Sequence, residues 1–154
     1  MRIVTWNLNG LRAAHRKGLD NFIDKIDADI WLFQEVRALP EQMPDNWKPA
    51  DNHEVIWHPA QKKGYSGVST WSRVEMSEEG RGISTDVDIG DSEGRVLYTK
   101  HGILHCINIY LPNGGANIQR QRFKDKWLED LLIWANKFID IDEPVLLCGD
   151  LNIA

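Results

Sequence analysis

The sequence predicts an α/β fold in which a mixed β-sheet carries helices on one face. Short apolar runs of strand length recur along the chain, and two other stretches repeat their apolar residues at helical spacing. The 154 residues, of which 42% are hydrophobic and 27% charged, have the composition of an ordinary globular domain. Seven tryptophans add bulky apolar surface, which argues against a disordered chain.

The first part of the chain predicts a parallel crossover unit. Residues 2–6 read as a strand that stops at a turn-rich segment, and residues 19–26 read as an amphipathic helix. The apolar run 30–33 is a second strand, which ends in Gln34 and Glu35. Short strand-to-helix-to-strand connections of this kind favour two parallel strands joined by a helix.

The middle of the chain predicts a run of antiparallel strands. Short, turn-rich links join the strand candidates, which cover residues 54–58, 66–72, 83–89, 95–101 and 103–111. Residues 90–94 have the composition of a hairpin loop.

The last part predicts one long helix and one buried strand. Apolar residues recur every three or four positions in the segment 117–138, which places Trp127 and Trp134 in the core. Arg120 and Lys124 belong to the opposite, charged face. A final strand covers residues 145–148.

Charge and cysteine content narrow the class of protein. The formal net charge of −5 excludes a histone-like nucleic-acid binder, but it allows an enzyme that reaches phosphate through a metal ion. No apolar run approaches the length of a membrane span, and the first residues lack the features of a signal peptide. Cys106 and Cys148 lie in apolar runs and read as buried free thiols. We therefore expect a cytoplasmic protein with no membrane partner.

Four of the predicted strands end in a residue whose side chain carries an oxygen. These side chains are Asn7, Glu35, Tyr110 and Asp150, and Asn152 follows the last of them by two residues. Ligands of open α/β sheets collect at strand ends, and amide and carboxylate oxygens suit Mg²⁺. Each residue taken alone is also explained as a helix cap or a turn former. Spacing by itself leaves both interpretations open.

Motifs along the whole chain resemble a known family. In order they cover residues 6–13, 34–35, 63–68, 93–95, 110–114 and 149–153. Together they resemble the exonuclease III and abasic-site endonuclease family, within the endonuclease/exonuclease/phosphatase superfamily. Asn-Gly-Leu-Arg-Ala and Lys-Gly-Tyr-Ser-Gly-Val are the narrower motifs and point to the DNA-repair branch. The resemblance implies that residues 1–154 are the N-terminal half of a four-layered α/β sandwich of the DNase I type, whose C-terminal half is absent.

The resemblance also implies an activity and its residues. The activity is Mg²⁺-dependent hydrolysis of DNA phosphodiester bonds in base-excision repair, at abasic sites and 3′ ends, with Mn²⁺ as a substitute metal. Glu35 matches the metal-binding glutamate, and Asn7 supports the metal and the phosphate. Tyr110 matches the tyrosine that contacts the scissile phosphate, Asp150 the aspartate that holds the attacking water, and Asn152 its neighbour in phosphate binding. The matching DNA-backbone contacts are Arg12, Ala13, Arg37, Gly64, Tyr65 and Asn113.

Two other functions stay open beside this one. The first is a superfamily phosphatase that acts on small phosphoesters or lipid head groups. The second is a non-catalytic fragment or DNA-binding module, because the family's later Asp-containing segment and its C-terminal Ser-Asp-His have no match here. For the same reason we expect weak or no activity from the chain alone.

A homodimer is expected from the apolar surface of the predicted sheet. With the helices 19–26 and 117–138 on one face, the other face would be bare, and strand 103–111 carries apolar groups on both sides. Such a face would exceed the apolar patch that a monomer normally exposes. A second copy of the chain would then take the place of the missing half.

Overall fold

The computed structural model describes residues 1–83 and 92–153, which form two four-stranded mixed sheets. The first sheet has the order β1-β2-β4-β3 and contains β1 (Ile3–Asn7), β2 (Ile30–Gln34), β3 (Glu54–His58) and β4 (Val68–Ser72). The second has the order β5-β6-β7-β8 and contains β5 (Glu78–Arg81), β6 (Val96–His101), β7 (Leu104–Tyr110) and β8 (Val145–Asp150). The predicted α/β class is confirmed.

Helices connect the strands along the outside of the sheets. They are α1 (Leu11–Arg16), α2 (Leu19–Ile26) and α3 (Ile118–Ala135), with 3₁₀ turns at Pro40–Gln42 and Asn136–Phe138. The side chain of Asn117 caps α3 by accepting a hydrogen bond from the Arg120 backbone N–H at 2.8 Å. None of the helices in the described ranges is both long and apolar enough to cross a membrane.

Most of the predicted strand pairings are confirmed. Strands β1 and β2 are parallel, with α1 and α2 between them, and β3 and β6 pair antiparallel with β4 and β7. The predicted strand 83–89 and the hairpin loop 90–94 fall mostly or partly on residues 84–91, outside the described residues.

Among the described residues, one α-helix and one strand were not predicted, and each lacks a periodic signal. Helix α1 spans only Leu11–Arg16, too short for a helical repeat, and it is held by the buried Leu11. Strand β5 has the sequence Glu-Glu-Gly-Arg, without alternating apolar residues. Its strand conformation comes from antiparallel pairing with β6, in which Glu78 lies opposite Lys100. Tertiary pairing therefore made β5 a strand.

The two sheets pack face to face, because their central strands are apolar on both sides. In β2, Trp31 and Phe33 face the core beneath α1 and α2, whereas Ile30 and Leu32 pack with Cys106 of the other sheet. In β7, Ile107 and Ile109 belong to the same cluster as Trp127 of α3. The order of layers is therefore helix, sheet, sheet, helix.

This arrangement corrects the predicted placement of the helices. The two predicted helices do not share one sheet face: α2 covers the outer face of the first sheet, and α3 covers that of the second. The inner apolar face of each sheet is covered by the other sheet of the same chain. The reason given for a homodimer, a bare sheet face, is therefore wrong.

A buried amide pair joins the sheets close to the strand ends. Gln34 and Asn108 are almost fully buried, and Gln34 Nε2 donates to Asn108 Oδ1 at 2.7 Å. Asn108 Nδ2 in turn donates to the backbone carbonyls of Phe33 and Ser69. Gln34 directly precedes Glu35, so this pair fixes the backbone from which Glu35 projects.

Candidate active site

The polar residues that close the central strands meet at one end of the sandwich. Asn7 ends β1 and donates from Nδ2 to Oδ2 of Asp150, which ends β8 in the other sheet, at 2.7 Å. Tyr110 ends β7, and its hydroxyl donates to the carboxylate of Glu35, which directly follows β2. Four side chains predicted at separate strand ends thus form two contacts that cross between the sheets.

Glu35 projects from a tightly turned backbone. Its φ of 50° lies in the left-handed region, as does the φ of 51° at Arg37. One carboxylate oxygen accepts the Tyr110 hydroxyl, and the other accepts Arg37 Nη2 at 2.7 Å. The Glu35 side chain is 14% exposed, so its carboxylate is held in place and still reaches the surface.

Tyr110 is set up as a neutral hydrogen-bond donor. Burial raises the pKa of its phenol well above the usual value, and the hydrogen bond to Glu35 raises it further. The guanidinium of Arg95, 4.7 Å from the ring centroid, acts in the opposite direction on the pKa. At neutral pH the hydroxyl therefore keeps its proton and can donate a hydrogen bond to an oxygen.

Asp150 and Asn152 are held by hydrogen bonds to each other and to residues distant in the sequence. Asp150 Oδ1 accepts the Asn152 backbone N–H at 3.1 Å. The Asn152 side chain donates to the Leu111 carbonyl at 2.8 Å. The backbone carbonyl of Asn152 accepts a hydrogen bond from Lys124 Nζ at 2.7 Å. Gly149 precedes them where a Cβ would lie 1.9 Å from the Ile109 carbonyl oxygen, so only glycine fits.

Two cavities flank this group of side chains. A cleft of about 770 Å³ is lined by Asn113, Lys124, Asp150 and Asn152. A smaller cavity of about 340 Å³ is lined by Gly10, Arg12, Ala13, Arg16, Arg37 and Gly64. The structure therefore brings together Arg12, Ala13, Arg37 and Gly64, whereas Asn113 lines the larger cleft with Asp150. Arg37 links the smaller cavity to the strand ends through its ion pair with Glu35.

Tyr65 is placed differently from the other predicted DNA contacts. Its hydroxyl accepts hydrogen bonds from Arg95 Nη2 at 3.2 Å and Arg120 Nη2 at 3.0 Å, and it lies 3.4 Å from Glu93 Oε1. Tyr65 is therefore half-buried in a charged network behind Tyr110.

Three residues that contribute to the candidate site were not predicted from the sequence. Lys124 and Arg120 were placed on a charged helix face, but both reach inward, to Asn152 and to Glu93. Arg95 belongs to the Glu-Gly-Arg motif, which was noted without a role. That motif was the signal that could have indicated Arg95.

The donor set suits a hard divalent cation with few protein ligands. Among the described residues, no group of three or more His, Cys, Asp or Glu side chains is placed to hold a metal. Glu35 and Asp150 supply two carboxylates at the same sheet end, and Asn7 supplies an amide oxygen. Mg²⁺ binds through one or two carboxylates and keeps several waters, so these residues fit it.

Comparisons with known proteins agree with this fold. The Endonuclease/Exonuclease/phosphatase family matches residues 4–154. The chain is 37% identical to an exodeoxyribonuclease of Bacillus subtilis, over all of this chain and 59% of the relative. It is 29% identical to a DNA-(apurinic or apyrimidinic site) endonuclease of Dictyostelium discoideum, over 42% of that protein.

A solved structure extends the comparison to three dimensions. A 3′-5′ exonuclease of Neisseria meningitidis superposes on the whole chain with a TM-score of 0.86 at 25% identity, and the chain covers 59% of it. The chain thus spans between about two fifths and three fifths of the relatives named here. Its sequence and its layered sheets together show that it belongs to the Endonuclease/Exonuclease/phosphatase family.

Proposed function

We propose that the chain carries the active-site portion of a Mg²⁺-dependent DNA phosphodiesterase of the exonuclease III type. Its substrates are duplex DNA with abasic sites and DNA 3′ ends. One observation carries the proposal: Asn7, Glu35, Tyr110 and Asp150 meet at one end of the sandwich, beside a cavity lined by three arginines. The names of the similar nucleases support the same substrate class.

Glu35 and Asn7 are the residues that would hold Mg²⁺, with Asp150 close by through its contact with Asn7. A bound Mg²⁺ supplies Lewis-acid polarisation of the phosphoryl oxygens. Mn²⁺ favours the same oxygen donors and is expected to substitute for it.

Asp150 has the role of proton acceptor for the attacking water. Its carboxylate is oriented by Asn7 Nδ2 and the Asn152 N–H, and it lines the larger cleft. As the water oxygen bonds to phosphorus, one of its protons moves to Asp150; the P–O bond to the sugar breaks, and the departing sugar oxygen takes a proton from solvent and leaves as a hydroxyl. Tyr110, which keeps its proton at neutral pH, would donate its one hydroxyl hydrogen to a phosphoryl oxygen in place of the Glu35 carboxylate that accepts it here.

The arginine-lined cavity has the role of holding the DNA strand. Arg12, Arg16 and Arg37 bring three guanidinium groups together, and guanidinium forks match phosphate oxygens. Contacts to the backbone position DNA without reading its sequence. A chain with a net charge of −5 thus binds phosphate through a local cluster of positive charge.

A low rate is expected of this chain on its own. Relatives such as the Bacillus enzyme contain further sequence, because the chain covers 59% of it. Strands β1 and β8 are the end strands of their sheets in the described ranges, with Trp6 38% and Leu147 41% exposed. We propose that the full domain adds strands along these edges, and that much of the catalytic positioning depends on them.

The proposed setting is the reducing cytoplasm. Cys106 and Cys148 are free, and burial raises the pKa of the Cys106 thiol to about 12, so it is unreactive.

The test is nicking of a duplex that contains one abasic-site analogue, by the 154-residue chain with Mg²⁺. Glu35→Ala and Asp150→Ala are purified in parallel, which also reveals any contaminating host nuclease. A labelled recessed 3′ end and an inositol phosphate are assayed beside the abasic duplex. We expect the wild-type chain to nick the abasic duplex faster than both variants.

Each alternative predicts a different result. Turnover of the inositol phosphate alone would establish the phosphatase. Wild-type nicking no faster than either variant, with DNA binding retained, would establish a non-catalytic DNA-binding module.

A further inference from the structure

Arg95 is almost fully buried, although it carries a charge that the chemistry proposed above does not use. Its side chain is 2% exposed, and it directly precedes β6. Burying a guanidinium is costly unless its donors are satisfied. Its partners therefore indicate what the charge is for.

Within the part of the chain that the structure describes, the side-chain hydrogen bonds of Arg95 go to three residues, Tyr110, Tyr65 and Glu93. Nη1 donates to the Tyr110 carbonyl at 2.9 Å, and the Tyr110 N–H donates to the Arg95 carbonyl at 2.8 Å. Nη2 donates to the Tyr65 hydroxyl at 3.2 Å, and Nε donates to Glu93 at 2.6 Å. The guanidinium also faces the Tyr110 ring, with its central carbon 4.7 Å from the centroid. Arg95 thus holds both the backbone and the ring of Tyr110.

Arg120 completes the network from helix α3. Its Nη1 and Nη2 donate to the two carboxylate oxygens of Glu93, at 2.9 and 2.7 Å, and Nη2 also donates to Tyr65. Burial would raise the pKa of Glu93, but the hydrogen bonds from Arg120 and the charge of Arg95 outweigh it and lower the pKa. Glu93 is therefore ionised at neutral pH and fixes both arginines.

We propose that Arg95 is a positioning residue, which fixes Tyr110 at the reacting phosphate and couples it to Tyr65 in the segment that precedes β4. The role of the site as a phosphodiesterase rests on the proposed function. A planar group with five donors can hold Glu93, Tyr65 and the Tyr110 carbonyl together, whereas an ammonium group cannot match that geometry. An apolar residue would fill the space but leave the Tyr110 backbone free on its carbonyl side.

Tyrosine NMR tests the coupling without requiring activity. The chain has three tyrosines, Tyr65, Tyr98 and Tyr110, so a chain labelled with [¹³Cζ]-tyrosine gives three signals. Tyr→Phe variants assign them. We expect Arg95→Gln to shift the Tyr110 and Tyr65 signals and to leave Tyr98, which contacts His105 at the other end of the sheet, unchanged.

Kinetics on the abasic duplex separate positioning from stability. We expect Arg95→Gln to lower kcat about 10- to 100-fold, since small misplacements of an active-site group have effects of that size. We expect KM to change by less than about threefold, because the lost interaction concerns the transition state. Arg95→Lys recovers part of kcat. Arg120→Gln is the matched control: it removes a partner of Glu93 and Tyr65 that, among the described residues, makes no hydrogen bond to Tyr110, so its loss of kcat is smaller.

The outcomes are distinct. An unchanged Tyr110 signal in folded Arg95→Gln, or in Arg95→Lys if the Gln variant does not fold, would overturn the proposal. Equal losses of kcat in Arg95→Gln and Arg120→Gln would also overturn it, because the network would then be only structural. Absence of nicking by the wild-type chain counts against the proposed function alone, and the NMR shift still decides the role of Arg95.

Discussion

The two ends of the β-sandwich carry polar clusters that differ in how their carboxylates are neutralised. At the end remote from the candidate site, Arg73 bonds to Asp27 at 2.5 Å and to Asp29 at 2.8 Å. In the other sheet at that end, Glu143 accepts Lys100 Nζ at 2.8 Å and His105 Nε2 at 2.6 Å. Each of these carboxylates therefore has a basic partner.

At the candidate site the carboxylates are held mainly by neutral donors. Asp150 accepts Asn7 Nδ2 and the Asn152 N–H, and it has no Lys or Arg partner in the described ranges. Glu35 shares its charge between the Tyr110 hydroxyl and Arg37.

This difference in partners distinguishes carboxylates that stabilise the fold from carboxylates that are available for a reaction. The contrast is clearest at Asp150: the remote carboxylates are paired with basic side chains, whereas Asp150 is oriented by an amide and a backbone N–H and keeps its charge for a cation or a proton. Polar residues are abundant at both ends, so abundance alone does not mark the site.

The largest expected effect contrasts Asp150 with Asp29. Asp150→Asn should reduce nicking about 10²- to 10⁴-fold, the range found when a general base is removed. The midpoint of thermal unfolding of Asp150→Asn should stay the same or rise, because the substitution removes a carboxylate charge that has no basic partner. Asp29→Asn should instead lower the midpoint and leave kcat unchanged, since it removes an Arg73 partner. A comparable loss of activity in both variants would contradict the different roles of the two ends of the sandwich.

The buried amide pair next to the candidate site should contribute measurably to stability. Gln34→Leu leaves Asn108 Oδ1 without its 2.7 Å donor inside the sandwich. The free energy of unfolding in urea should fall by about 1–3 kcal/mol, the cost of a buried unsatisfied group. Gln121→Leu removes an exposed hydrogen bond to Asp125 and should change it by less than about 0.5 kcal/mol. Similar values for the two variants would contradict the bridging role.

Magnesium should act at the candidate site and not at the remote end. With few anionic ligands, binding should be weak, and Mg²⁺ at ten times its Kd should stabilise the fold by about 1.4 kcal/mol. Glu35→Gln should remove this stabilisation, and EDTA should reverse it in the wild type. Glu143→Gln should retain it. Titrations followed by thermal shift would show the contrast, and a Mg²⁺ effect that survives Glu35→Gln would refute it.

The smallest expected effect is on acid stability at the remote end. Hydrogen bonds from Lys100 and His105 lower the pKa of Glu143 below its usual value of 4.5. The stability it contributes is thus fully present above about pH 4.5 and is lost as pH falls through the lowered pKa. Urea unfolding at pH 3 to 6 should show a shallower decline for Glu143→Gln than for the wild type. Parallel plots of unfolding free energy against pH for the two proteins would mean that the contacts of Glu143 with Lys100 and His105 contribute nothing to acid stability.

The order of strands and helices could be predicted from the sequence because each has a local period. Strand β2 is a continuous apolar run, and α3 repeats its apolar residues every three or four positions. The oxygen-bearing residues that end the strands were equally visible, and the family motifs gave them chemical roles. Strand β5 and helix α1 were missed because their sequences carry no such period.

Only the tertiary structure decided which elements cover one another. A strand with apolar residues on both faces indicates that two layers flank it, but not that a second sheet of the same chain supplies one of them. The contact of Asn7 with Asp150 joins residues 143 positions apart and forms only when the two sheets pack. The inward reach of Lys124 and Arg120 likewise depends on where α3 lies. Local sequence determines which residues need partners, and the packing of the layers determines which partners they find.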